Sequence, residues 1–148
     1  MRPPCRNLID STGGFVMEKL LYPAVFHPEE VGGYSVTFPD LLGCVTEGDT
    51  MQEAIEMAED ALGIYLYTLK ENKEEVPAAS NPADIKTEGR DFVSLISYDE
   101  LEYLKRTDSH AIKKTLTIPA WMDTLAKENN LNFSQVLQNA IRKELNLA

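Results

Sequence analysis

The polar and apolar positions fall into a strand period first and a helix period later. Residues 34–39, YSVTFP, put Tyr34, Val36 and Phe38 on one side and Ser35 and Thr37 on the other, which predicts a half-buried strand. Before it, KLLYPAVFHP (19–28) reads as extended chain, and its interior proline predicts an edge strand. EEVGG and DLLG supply turns, and CVTEG (44–48) a third short strand, so the three form an antiparallel meander. The period then changes. Thr50 followed by Glu53 makes a capping box, and Ala54, Ile55, Ala58, Ala61, Leu62, Tyr65, Leu66 and Leu69 form one apolar helical stripe. Glu53, Glu56, Glu59 and Asp60 fall mostly off that stripe, on a solvated or partner-facing acidic surface.

From Glu71 to Arg90 both periods vanish and two prolines appear, which predicts a loop. DFVSLISY (91–98) restores a strand that returns to the same sheet, so the body reads β-β-β-α-β with its helix on one face. DELEYLKR is a short helix and TDSHA a hinge. The tail then alternates through KKTLTI (113–118): Lys113, Thr115 and Thr117 face one way, Lys114, Leu116 and Ile118 the other. Pro119 stops this strand and sits in the first turn of a helix running to about Asn129. Trp121, Met122, Leu125 and Ala126 supply its apolar face. Asn132, with Gln135 at the box position, caps a second helix carrying Phe133, Val136, Leu137, Ala140, Ile141 and Leu145.

Composition narrows the class. With 148 residues, 43% hydrophobic and 26% charged, the chain suits one ordinary domain or two small ones. It has no run long enough for a membrane span and no secretory apolar core, so a cytoplasmic protein is the expectation. Cys5 and Cys44 make neither a disulfide framework nor a metal cluster, and no cofactor is expected. Residues 1–16 have no clear period and read as a disordered extension or an upstream start.

Charge is segregated. Residues 110–148 carry five basic and three acidic side chains, whereas residues 1–109 carry nine and twenty-one. An acidic chain binds nucleic acid only where its basic groups are gathered, so the tail is the place to look.

One strand and two short helices cannot bury their apolar faces alone, and two-fold pairing solves this. Two copies of the strand pair antiparallel. Leu116, Ile118, Leu125, Val136, Leu137 and Ile141 then form a shared core, and Lys113, Thr115 and Thr117 of each copy face outward on a two-stranded ribbon. Such a ribbon fits the major groove, where lysine donates to guanine and threonine contacts base edges. The helix N-terminus at Asn132, Phe133 and Ser134 offers an anion site for a phosphate, with Lys127 as a further contact.

The tail resembles the ribbon-helix-helix family of repressors through KKTLTIP, AWMDTLAKENN and LNFSQVLQNAIRKEL, about 36 residues of pattern with no invariant signature. The body resembles the HicB antitoxin family through YSVTFPD (34–40), Gly43-Cys44, Thr46, Gly48-Asp49-Thr50, Glu53-Ala54 and Ala61-Leu62. It departs from that pattern at Leu42, where proline is usual, and at Met57, where asparagine is common. The resemblance implies an α+β protein: a partial RNase H-like body at 17–106, a hinge at 107–111, and a ribbon-helix-helix domain at 112–148. It also implies a HicA-type toxin partner, a small RNA-binding ribonuclease, and repression of the chain's own operon by a DNA-bound dimer; dimer and tetramer are both left open as the final assembly. Residues 17–109, with seven basic and twenty acidic side chains, suit a basic partner.

Two other readings compete. A dimeric repressor with an effector-sensing body would need no toxin. A metal-dependent nuclease would need three or four converging carboxylates, for which Asp40, Glu47 and Asp49 are candidates by type alone. His27 and His110 stand isolated in sequence as surface or hinge residues, and Cys44, on a strand, reads as core.

Overall fold

A computed structural model describes residues 19–147, together with the backbone of 8–9 and 15–16. The chain divides into two compact units: the body, Met17–Asp108, and the tail from Ser109 on, with which the backbone of 8–9 and 15–16 groups. The expected disorder of residues 1–16 falls largely outside the described residues. Within them, β1 (Leu8–Ile9) and β2 (Phe15–Val16) pair antiparallel.

The body has a mixed α/β fold. Strands β3 (Leu20–Pro28), β4 (Tyr34–Thr37), β5 (Val45–Gly48) and β6 (Phe92–Tyr98) form one antiparallel sheet in the order β5-β4-β3-β6. The meander is as expected, and the strand after the helix joins the sheet beside β3. The edge position expected for 19–28 is wrong: β3 is central. Pro23 is tolerated because β4 pairs only with Val25–Pro28, so the first half of β3 has a neighbour on one side alone, β6, where Pro23 stands opposite Leu95.

Helix α1 (Met51–Glu71) starts as the pattern requires. Thr50 Oγ1 accepts from the Glu53 amide at 3.1 Å, and Glu53 reaches back to the amide of Asp49 at 2.9 Å. Its stripe of Ala54, Ala58, Leu62 and Leu66 packs on Tyr22, Ala24, Phe26, Val36 and Ile96 to form the core. Two glycines permit close approach. A Cβ on Gly48 would lie 2.4 Å from the Ala54 amide, so α1 can rest directly on β5. A Cβ on Gly63 would lie 2.6 Å from the Tyr103 ring, so Gly63 is the notch that receives α2 (Glu100–Thr107). Ion pairs Lys70–Glu100 and Arg106–Asp60 flank that contact. The loop after α1 holds a 3-10 turn, Pro82–Asp84.

The tail contains α3 (Ala120–Glu128) and α4 (Phe133–Glu144). Pro119 sits just before α3 as its cap, not in its first turn, and its carbonyl accepts from the amides of Met122 and Asp123. α3 ends in a Schellman turn: Asn130 is left-handed (φ 53), its amide bonds the Lys127 carbonyl, and the Leu131 amide bonds Ala126. Residues 109–119 form no strand within the chain. The expected ribbon finds no neighbour there, and an isolated extended segment leaves its ladder groups to solvent.

Candidate functional site

The tail exposes what a stable unit would bury. Leu116 is 62% exposed, Val136 50% and Phe133 45%, and Ala126 is the single buried hydrophobic residue described in this unit. Leu116, Ile118, Met122, Leu131, Val136 and Leu137 line one open groove. Of the residues expected in a shared core, Leu116, Ile118, Val136 and Leu137 therefore meet, while Leu125 and Ile141 lie outside the groove lining and are about half exposed. Sequence reasoning missed Leu131 as a lining residue, because it follows a helix stop. The Asn129-Asn130 pair was the signal: a Schellman turn directs the residue after the left-handed position back onto its helix.

Lys113, Thr115 and Thr117 are exposed, on a segment that has no partner strand among the described residues. At α4 the Asn132 side chain accepts from the Gln135 amide at 3.0 Å, which fixes the helix start. The amides of Phe133 and Ser134 belong to the first turn, where the helix supplies no acceptor of its own. Lys127 is exposed and donates to Asp123 at 2.7 Å, so any phosphate contact competes with that pair.

On the body, the three carboxylates considered for metal chemistry serve separate ends. Asp40 accepts from both the amide and hydroxyl of Ser80 and so ties down the long loop. Glu47 is exposed on β5, and Asp49 precedes the α1 cap. Among the described residues no group of three His, Cys, Asp or Glu side chains is placed to hold a metal ion. His27 is not isolated: Nδ1 lies 2.6 Å from Asp91 Oδ2 and Nε2 lies 3.0 Å from Thr37 Oγ1. An ionised carboxylate only accepts, so Nδ1 carries the proton and, in the neutral ring, Nε2 accepts from Thr37. This bridge ties β4, β3 and the start of β6. His110 is exposed. Cys44 is buried, and burial pushes its thiol from the ordinary 9.0 to about 11, which keeps it protonated and unreactive at neutral pH. Leu42, 94% exposed, and Met57, 42% exposed, lie on the surface, so neither departure from the HicB pattern burdens the core.

The acidic helix surface is partly spent within the chain. Glu53 closes the capping box, Glu56 accepts from Gln52, and Asp60 accepts from Arg106, while Glu59 is half-buried. No described helix is long and apolar enough to cross a membrane.

The described chain is thus a body-plus-tail protein: a four-stranded sheet backed by one long helix, then a two-helix unit with an open apolar groove. Residues 22–141 match the family described as HicB-like antitoxin of bacterial toxin-antitoxin systems, and the chain belongs to that family. It is 38% identical over 81 residues to "Antitoxin HicB 1" of Photorhabdus laumondii, covering 55% of this chain and 48% of that one; it thus spans about half the length of this curated relative. An uncharacterised 14.9 kDa protein of Haemophilus phage HP1 is 34% identical over 105 residues, 68% of this chain and 74% of the phage protein. A solved chain of a toxin-antitoxin complex from Streptococcus pneumoniae is 33% identical with a TM-score of 0.56, covering 86% of this chain and 99% of that chain.

Proposed function

We propose that this chain is the antitoxin of a type II toxin-antitoxin system: it binds and neutralises a HicA-type ribonuclease toxin, and it represses its own operon by binding operator DNA as a dimer. It acts in the cytoplasm and is not itself an enzyme. Membership of the HicB-like family, with likeness to a chain of a toxin-antitoxin complex, supports the antitoxin role. The strand order β5-β4-β3-β6, with α1 between β5 and β6, supports reading residues 17–106 as a partial RNase H-like body.

The observation that carries the DNA-binding half is the tail's groove, whose apolar residues include Leu116 and Ile118, while Lys113, Thr115 and Thr117 alternate with them in sequence. A second copy pairing through residues 113–118 closes that groove and turns the lysine and threonines outward as a ribbon. Residues 107–111 are then the hinge and 112–148 the ribbon-helix-helix domain, with tetramers forming if bodies also pair. Phosphates bind at the α4 N-terminus, through the Phe133 and Ser134 amides, beside Asn132 and Lys127.

Thr117→Ala tests the assignment. It is expected to weaken operator binding by about 1–3 kcal/mol and leave toxin binding unchanged. Equal loss of both activities contradicts separate sites, and no change in operator binding removes Thr117 from base reading.

A further inference from the structure

The two edges of the body's sheet are unequal. The 3-10 turn Pro82–Asp84 packs against β6. Among the described residues β5 is hydrogen-bonded on one side only, to β4; it is four residues long, with Glu47 as its one charge and neither lysine nor proline. Beside it, α1 and residues 43–45 enclose an open groove of ≈ 520 Å³ lined by Val45, Ala61, Ile64, Tyr65 and Leu69, with Glu74 its single charged residue. Val45 and Ile64 are each 58% exposed, and Met57 continues the same helical face two turns earlier. The Tyr65 hydroxyl donates to the Leu42 carbonyl at 3.2 Å, which holds the exposed Leu42 near this groove.

An open strand edge with an apolar trough beside it recruits an extended segment: backbone bonds supply affinity and the trough selects a side chain. Charge selects the occupant. Glu47 on β5 and Glu56 on α1 are exposed, and the body from residue 17 to 109 holds twenty acidic against seven basic side chains. Two copies of this edge would face each other with like charge, whereas a basic chain gains from every carboxylate nearby.

We propose that the basic, RNA-binding toxin docks along the open edge of β5, adding an extended segment there and placing an apolar side chain against Ile64, with its cations toward Glu47 and Glu56. This rests on the antitoxin reading above and names the surface through which it acts. The full chain would be titrated calorimetrically with the small basic protein encoded beside it, comparing wild type with Ile64→Lys, Glu47→Lys and a control, Leu95→Lys, on β6. All three positions are exposed, and melting curves check that each variant folds.

Ile64→Lys and Glu47→Lys are each expected to weaken toxin binding about tenfold or more, with Leu95→Lys unchanged. Outward amides of Val45–Gly48 are expected to gain protection from hydrogen exchange in the complex. Wild-type affinity in Ile64→Lys and Glu47→Lys would overturn the docking surface while leaving the antitoxin role intact. The same result with a smaller free oligomer would assign the edge to contacts between copies. A wild-type chain that binds no toxin would overturn both the surface and the role.

Discussion

The body and the tail obey opposite burial rules. In the body Ala24, Phe26, Val36, Ala54, Ala58 and Leu62 are wholly buried, whereas in the tail Leu116, Leu125, Leu131, Phe133, Val136 and Ile141 are each close to half exposed or more. Both regions follow clear apolar periods, so pattern alone does not distinguish a finished core from an unfinished one. The difference is the count of layers. The body has a sheet and a helix to bury between them, and the tail from Ser109 on has two short helices and a segment that pairs with no strand among the described residues. A region of this kind is stable when something covers its groove, and the proposed cover is a second copy.

The sharpest way to break the comparison is to damage one region and watch the other. Phe26, fully buried and stacked on Phe92 at 5.2 Å, is expected to cost about 3–5 kcal/mol of body stability on substitution to alanine. Urea unfolding followed by circular dichroism measures this, and tail association should survive it. The converse is Leu116→Ala. Under the proposed pairing it removes about 2–3 kcal/mol per chain from the dimer and leaves the body's unfolding midpoint in place. Sedimentation equilibrium reads the first quantity and urea unfolding the second.

A smaller effect separates the regions by pH. The buried thiol of Cys44 titrates at about 11 in the folded body against 9.0 for the ordinary group. Its contribution is fully present below pH 9, where both states hold the proton. It is lost as pH rises toward 11, because the unfolded chain releases its proton first. Body stability should therefore fall between pH 9 and 11, with a shallower fall in Cys44→Ala. The smallest expected change is a gain. Lys73, just past α1, is held at φ 57, and Lys73→Gly should stabilise the body by about 0.5–1 kcal/mol, after allowing for glycine's freer unfolded chain. Thermal melting checks it.

Much of the body was legible because its signals are local. Thr50 with Glu53 marked the start of α1, and alternation at 34–38 marked β4. The central place of β3 was misread because Pro23 signals an edge, and only the short reach of β4 along that strand makes the proline acceptable. The bridge from Asp91 through His27 to Thr37 was invisible in sequence, since 64 residues separate its acid from its imidazole. In the tail the helices were legible and the strand was not testable within one chain: alternation at 113–118 specifies two faces but supplies no neighbour to pair with.

The chain holds a single tryptophan, Trp121, and it lies in the tail at 63% exposure. Its fluorescence therefore reports on the region whose completion is proposed to need a second copy. Thermal unfolding should be followed by Trp121 emission across a hundredfold range of chain concentration, with body unfolding followed in parallel. Completion of the tail by a second copy requires a Trp121 midpoint that rises with concentration. A Trp121 midpoint independent of concentration, in a chain that sediments as a monomer throughout, would contradict it.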